Sequence, residues 1–263
     1  MYSYFMNESL LCIKLGGSVI TDKTKPYIAR RATIRQIAKT LKKLQMPLLI
    51  SHGVGSFAHT SASKYGGKNG YTSKTGIAKV FHDAATINHL VMDIFIEEGL
   101  PVVSFQPRSF LLSNKDHVKQ VFFAPIIQAL DQGLIPVIHG DVIMDEAQLT
   151  TIFSGETTLQ ILCKYLTRNN HPIKRVIQLS DVDGVYDKNK EVISEITSQS
   201  WQAIQHDVTV SSNIDVSGGM QHKVEESLEL ASQGIETMII NGRSKNVLEK
   251  VLDGQNVTGT VIK

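Results

Sequence analysis

The chain has 263 residues, 42% of them hydrophobic, and 27 Lys and Arg against 25 Asp and Glu give a formal net charge of +2. That is enough apolar material for one domain with a large core, while a near-neutral balance of scattered charges leaves no basic face suited to nucleic acid. No apolar run approaches the ~20 residues of a bilayer span, and residues 1–11 are too short and polar for a secretory signal, so a cytoplasmic protein with no membrane partner is expected. Cys12 in an apolar strand and Cys163 in an amphipathic helix read as small core hydrophobes in a reducing compartment rather than as a disulfide.

The first strand-like run is 10–15, and it carries Lys14 before breaking into Gly16-Gly17-Ser18, with Thr21 and Lys23 behind. Two adjacent glycines remove the Cβ atoms that keep phosphate oxygens from backbone N–H groups, and successive amides there form an anion-binding concavity. Lys14 and Lys23 would add two positive charges to the same space. After a helical stretch over 33–44, a second strand at 47–51 ends in His52-Gly53-Val54-Gly55-Ser56-Phe57-Ala58-His59. Gly53, Gly55 and Ala58 fit the spacing of a dinucleotide fingerprint, but that site wants a second strand ending in an acidic residue about 20 residues on. Residues 65–79 are instead rich in Gly, Lys, Ser and Thr with no strand pattern, and the segment 63–79 reads as a mobile flap.

A helix over 83–98, a strand at 101–105, a helix over 125–132 and a strand at 135–138 follow. Residues 142–144 and 148–153 suggest a small hairpin around Asp145-Glu146. A helix over 157–166 then leads to a strand at 175–179 and a third phosphate-compatible loop, Ser180-Asp181-Val182-Asp183-Gly184-Val185-Tyr186-Asp187. A fourth, Asp215-Val216-Ser217-Gly218-Gly219-Met220, opens a helix over 221–233 that carries Lys223 about one turn after Gly219. Strands at 236–240 and 257–262 close the chain. The alternation predicts an α/β protein, a three-layer αβα sandwich on an open, mainly parallel sheet, with ligands at the carboxyl ends of the strands.

These loops together resemble the amino acid kinase family and, within it, the isopentenyl phosphate kinases, over nearly the whole chain. The resemblance rests on residues 14–23, the 53–59 loop, residues 180–186 and residues 215–223, and the discriminating residue is His59, which relatives acting on carboxylates generally lack. Two positions depart from the family pattern: Ala58 stands where glycine is usual, and Glu156, in Ser154-Gly155-Glu156, where aspartate is expected. The resemblance implies the same sandwich, commonly dimeric, with the acceptor site mainly in the N-terminal half and the nucleotide site mainly in the C-terminal half. It also implies ATP as donor and isopentenyl phosphate as acceptor. The alternatives are another small phosphate or phosphonate, as in fosfomycin-type kinases, or a carboxylate.

Phosphoryl transfer needs alignment and charge stabilisation more than covalent participation by the protein. A phosphate monoester acceptor is largely ionised at neutral pH because its second pKa is ~6, so no general base is required. The obstacle is bringing two anions together. Lys14, Lys23, His59 and Lys223 are therefore the expected catalytic groups, with the lysines around the γ-phosphate and His59 gripping the acceptor. ATP is expected on Lys14, Gly16, Gly17, Ser18, Gly55, Asp181, Asp183, Gly218, Gly219 and Lys223. The acceptor is expected on Val54, Gly55, His59 and Gly155, with Val80 and Ile87 facing a short prenyl tail. Asp141 and Glu156 are expected to orient lysines. Mg2+ would bridge the donor phosphates, with no protein residue singled out as its ligand.

Overall fold

The computed structural model describes residues 9–67, 70–71, 73–206, 208 and 219–263. The N-terminal part runs β1 (Leu10–Leu15), α1 (Gly17–Ile20), α2 (Arg31–Leu41), β2 (Leu48–His52), α3 (Gly55–Tyr65), the short ladder β3 (Gly66–Gly67) and β4 (Gly70–Tyr71), then α4 (Lys74–Glu97). The middle comprises β5 (Val102–Ser104), β6 (Leu111–Asn114), β7 (His117–Val121), α5 (Ala124–Asp131), β8 (Ile135–His139), β9 (Asp141–Asp145), β10 (Leu149–Phe153) and α6 (Gly155–Arg168). The chain finishes with β11 (Ile173–Ser180), β12 (Glu195–Ile196), α7 (Ser198–Ile204), α8 (Gly219–Ala231), β13 (Thr237–Asn241), α9 (Val247–Leu252) and β14 (Thr260–Ile262).

The main sheet has eight strands in the order β12-β14-β13-β11-β1-β2-β8-β5. All neighbouring pairs are parallel except β13 with β14. Its centre explains why residues 10–15 are a continuous apolar run: β1 is buried at every position, as a strand covered on both faces must be. Leu11, Ile13 and Leu15 enter a core shared with α2, α4 and α9. Leu10 and Cys12 enter a second core shared with α5, α6 and α8, on the opposite face. Side chains alternate across a strand, so Lys14 shares the face of Leu10 and Cys12 and meets α6. Cys12 and Cys163 are both free and buried, with their sulfur atoms 3.6 Å apart.

Several boundaries differ from the sequence reading. The 53–59 segment, expected as a loop, winds into α3 from Gly55 onward, and Ala58 therefore sits at a helical position where glycine's freedom is not used. α4 begins at Lys74, nine residues earlier than expected, capped by the Ser73 side chain accepting from the Gly76 amide. Gly76 is no breaker there: a Cβ on it would stand 2.7 Å from Cβ of Tyr65, so it permits close approach of two helices. The flap expected over 63–79 is thus the end of α3, a two-residue ladder and the start of α4; residues 68, 69 and 72 lie outside the described residues. The 142–153 hairpin is present as β9 and β10, joined by β6 and β7 into a second sheet, β10-β9-β6-β7, over the cleft. β7 is exposed at all five positions, which explains why no burial pattern announced it.

Candidate active site

Four adjacent parallel strands, β8, β2, β1 and β11, end side by side, and the segments leaving their carboxyl ends surround a cavity of about 670 Å3. Gly16-Gly17-Ser18 leaves β1, Gly53-Val54-Gly55 leaves β2, Gly140-Asp141 leaves β8 and Ser180-Asp181-Val182 leaves β11, and all of them line it. The first two turns touch backbone to backbone. A Cβ on Gly17 would lie 2.8 Å from the Gly55 nitrogen, and one on Gly53 only 2.7 Å from the Gly17 nitrogen. These glycines are thus demanded first by the packing of one loop on the other. Gly55, with φ +47°, leaves no room for a Cβ beside Thr21. Thr21 Oγ1 donates to Gly17 O at 2.7 Å and accepts from the Ser56 amide at 3.0 Å, which fastens α1 to α3.

Lys14, 3% exposed, forms an ion pair with Glu156 of α6, 6% exposed. Glu156 Oε1 also lies 3.6 Å from Nζ of Lys223 on α8. Burial pushes the Glu156 carboxyl up, but the charges of Lys14 and Lys223 outweigh it and hold the group down at about 2. One carboxylate therefore carries two ammonium groups, and all three side chains line the cavity. The extra methylene of Glu relative to Asp is absorbed in this arrangement. Gly155, at the start of α6, would drive a Cβ to 2.7 Å from the His52 carbonyl oxygen, so it allows the helix to sit close on β2.

Asp141 is a correction to the sequence reading, because it holds an arginine rather than a lysine. Arg108 Nη1 donates to Asp141 Oδ1 at 2.7 Å and the Arg108 amide donates to Oδ2 at 3.3 Å. Burial nonetheless raises the Asp141 carboxyl to about 6, the guanidinium opposing it. Nothing around residues 107–109, a single 3₁₀ turn, marks Arg108 in the sequence as a partner for Asp141.

Lys23 and His59 both line the same cavity, His59 from the second turn of α3. Beside His59 the wall is apolar: Ala58 and Ala62 from α3, Val80 and Ala84 from α4, Val142 from β9 and Ile152 from β10. Ala62 and Ala84 lie one helical turn beyond Ala58 and Val80, so helical spacing carried a signal for them. Val142 and Ile152 arrive on the hairpin sheet, and only the fold brings them there. Ile87 does not line this wall. It is fully buried and packs with Val91 and Phe95 in the core beneath the main sheet.

On the β11 side, Ser18 Oγ donates to Asp181 Oδ1 at 2.7 Å, tying the first loop to the third. Asp183 is held beneath, with Asn241 Nδ2 donating to its Oδ1 at 3.0 Å and the Tyr186 hydroxyl to Oδ2 at 3.3 Å. Lys190 lines the cavity without any signal in the sequence, and Tyr186 and Met220, which belong to the third and fourth loops, line it without having been assigned a site role. Gly219 opens α8 with φ +66°, and its carbonyl lies 3.5 Å from Lys223 Nζ. Gly218 and Asp215 lie outside the described residues.

Among the described residues no three His, Cys, Asp or Glu side chains gather as a metal site, and Glu156, Asp141 and Asp181 are each engaged by protein partners. The described residues do not make a metal cage. No described helix is long and apolar enough to cross a membrane.

The model of the amino acid kinase family matches residues 9–241. The isopentenyl phosphate kinase of Methanothermobacter thermautotrophicus is 31% identical, covering 96% of this chain and 98% of that protein; the isopentenyl phosphate kinase of Methanocaldococcus jannaschii is 30% identical with 96% and 98% covered. The acetylglutamate kinase of Pelagibacter ubique is 27% identical over 98% of this chain and 89% of its own. A crystal structure of isopentenyl phosphate kinase superposes with a TM-score of 0.79 at 30% identity, covering 97% of this chain and 100% of the other. A substrate complex of isopentenyl phosphate kinase gives 0.76 at 26%, with the same coverage. With cavity-lining turns at the ends of four parallel strands, two lysines on one buried carboxylate and a family match spanning most of its length, the chain belongs to the amino acid kinase family.

Proposed function

We propose that this chain catalyses the ATP-dependent phosphorylation of isopentenyl phosphate to isopentenyl diphosphate. The observation that carries the reading is a single cavity that Lys14, Lys223 and the glycine turns line together with His59, beside which stands an apolar wall of Ala58, Ala62, Val80, Ala84, Val142 and Ile152. A polar grip next to a small apolar pocket suits a phosphate with a short hydrocarbon tail. The relatives called isopentenyl phosphate kinases support the same choice.

The reaction forms a bond between an acceptor phosphate oxygen and the γ-phosphorus of ATP while the bond to the β-phosphate oxygen breaks and ADP leaves. The acceptor enters ionised, so no proton need be removed. Lys14 and Lys223 stabilise charge on the transferring group, and Glu156 keeps both ammonium groups aimed at one point. Lys23 closes on the donor side. His59 fixes the acceptor phosphate in line, and Val54, Gly55 and Gly155 supply the turns around it. Gly16, Gly17, Ser18, Asp181 and Asp183 shape the nucleotide's berth, with Gly219 at the start of α8 and Gly218 assigned to it from the sequence alone. Magnesium enters as part of the MgATP substrate. The acceptor lies mainly against the N-terminal half and the nucleotide against the C-terminal half of one domain, in a cytoplasmic homodimer.

ADP release measured against isopentenyl phosphate, longer prenyl phosphates, a fosfomycin-type phosphonate and N-acetylglutamate tests the reading. The highest kcat/KM is expected with isopentenyl phosphate. Turnover confined to the carboxylate or the phosphonate overturns it.

A further inference from the structure

Behind the turns that face the acceptor, at the ends of neighbouring strands β2 and β8, lie two histidines with no part in the chemistry above. His52 and His139 are fully buried, stand opposite one another in the sheet register and stack with ring centroids 5.4 Å apart. Each Nδ1 rests on the carbonyl of the next residue: His52 Nδ1 is 3.0 Å from Gly53 O, and His139 Nδ1 is 2.8 Å from Gly140 O. Both glycines line the cavity.

The proton positions follow from these contacts. A carbonyl oxygen only accepts, so each Nδ1 must carry a hydrogen. His139 Nε2 is then a lone pair, buried without a partner. His52 Nε2 lies 3.1 Å from the end of the buried Asn88 amide, whose other end lies 2.7 Å from Ser104 Oγ. Oxygen and nitrogen of a side-chain amide are interchangeable in shape. Directing the Asn88 NH2 to His52 and its oxygen to the Ser104 hydroxyl pairs His52, Asn88 and Ser104 with a neutral His52 ring. The alternative, an imidazolium bridging two oxygens, would add a charge near Lys14 of β1, which acts on His52, and near His89 of α4 and Arg108 of the 107–109 turn, which act on His139. Burial foremost pulls both rings down to about 4, with His139 and then Lys14 adding to it at His52, and Arg108 and His89 at His139.

We propose that His52 and His139 are positioning residues for the reaction: as neutral Nδ1–H tautomers they hold the Gly53 and Gly140 carbonyls inward and so fix the two turns against which the acceptor phosphate sits. In a planar trans peptide the carbonyl and the following N–H point in opposite directions. Anchoring the Gly53 carbonyl against the interior therefore turns the Val54 amide toward the cavity. Neither the Val54 nor the Gly55 amide donates to a backbone carbonyl in a turn or loop among the described residues, and both residues line the cavity. The inference rests on the acceptor binding at this end of the cavity, as argued above.

Two measurements on the full-length chain test it. Long-range 1H–15N correlation spectra should show both rings as the Nδ1–H tautomer at pH 7, with no titration above about pH 5; an Nε2–H tautomer, or a midpoint near the ordinary 6.5, overturns the assignment. In kinetics, His52→Leu removes the donor whereas His52→Asn places an amide N–H near the original Nδ1. His52→Leu should raise the acceptor KM roughly tenfold, the size of one lost hydrogen bond, with the ATP KM within about twofold of the parent. His52→Asn should bring the acceptor KM back to within about threefold. Equal effects of the two variants, or parallel changes in both KM values, refute the positioning role. If His52→Leu fails to fold, the His52→Asn kinetics and the spectra decide the question. A parent enzyme without activity on isopentenyl phosphate would refute the functional reading instead, and the ring spectra stand apart from it.

Discussion

Lys14 on β1 and Glu156 on α6 form an ion pair almost wholly withdrawn from solvent at the floor of the cleft, although 142 positions separate them in the chain. Removing one partner strands the other charge in a buried site, which is far costlier than losing an exposed pair. Glu156→Gln should therefore lower kcat by disordering both Lys14 and Lys223. The Glu156 carboxyl is held near 2 in the folded chain against 4.5 for the free group. Its stabilising contribution is full above about pH 4.5 and is lost as pH falls toward 2. Urea titrations of parent and variant should accordingly converge below pH 4.5, and a constant gap across that range would contradict the pairing.

Lys14→Ala should act mainly on turnover. A preorganised cation aimed at the transferring group contributes to the transition state more than to substrate binding, and loss of one such group costs about 10²–10³ in kcat. Initial-rate kinetics decide: a raised ATP KM with kcat preserved would remove Lys14 from the transition state.

His59→Ala should leave ATP affinity nearly intact, measured by calorimetric titration, while kcat/KM for a phosphate acceptor falls sharply. Unchanged acceptor kinetics would show that the imidazole does not grip the acceptor. Activity on N-acetylglutamate that survives the substitution would point to the carboxylate branch of the family.

Val80 and Ile87 lie seven residues apart on α4 yet predict opposite outcomes. Val80 faces the cavity beside Ala84, whereas Ile87 is sealed in the core. Val80→Ala should shift the kcat/KM ratio toward a longer prenyl phosphate by about tenfold, the lower end of the effect of small pocket changes. Ile87→Ala should cost about 2–5 kcal/mol of stability and leave that ratio alone. A specificity change in the second variant, read by the same assays with thermal unfolding, would move the pocket wall.

Stability should fall between pH 6.5 and about 4.5. His52 and His139 are pulled to about 4 when folded, so the unfolded chain binds two more protons as pH drops through 6.5. Asp141 opposes them: raised to about 6 by burial, it takes up its proton in the folded chain first, and its contribution is lost as pH rises through 6. Near pH 5 the net difference is close to one proton, or about 1.4 kcal/mol per pH unit. Chemical denaturation at half-unit steps measures the slope, and rising stability over that interval would contradict these assignments.

The alternation of apolar runs and amphipathic stretches determined the α/β layering, because a strand buried on both faces and a helix with one apolar stripe each leave a local period in the sequence. The glycine turns after β1 and β2, the lysines beside them and the 142–153 hairpin were equally legible, since turn chemistry and charge are carried by neighbouring residues. The helical winding of 55–65 and the early start of α4 were not. Tertiary packing shows why Gly55 and Gly76 stand in these helices, since neither position has room for a side chain. That Glu156 orients lysines was expected, but tertiary structure decided that Lys14 and Lys223 share it, that Asp141 holds Arg108 and that Ile87 turns to the core. It also brought Val142 and Ile152 from the second sheet to the wall beside His59. Strand order, register and helix docking set these juxtapositions, and such long-range pairings have no periodic trace along the chain.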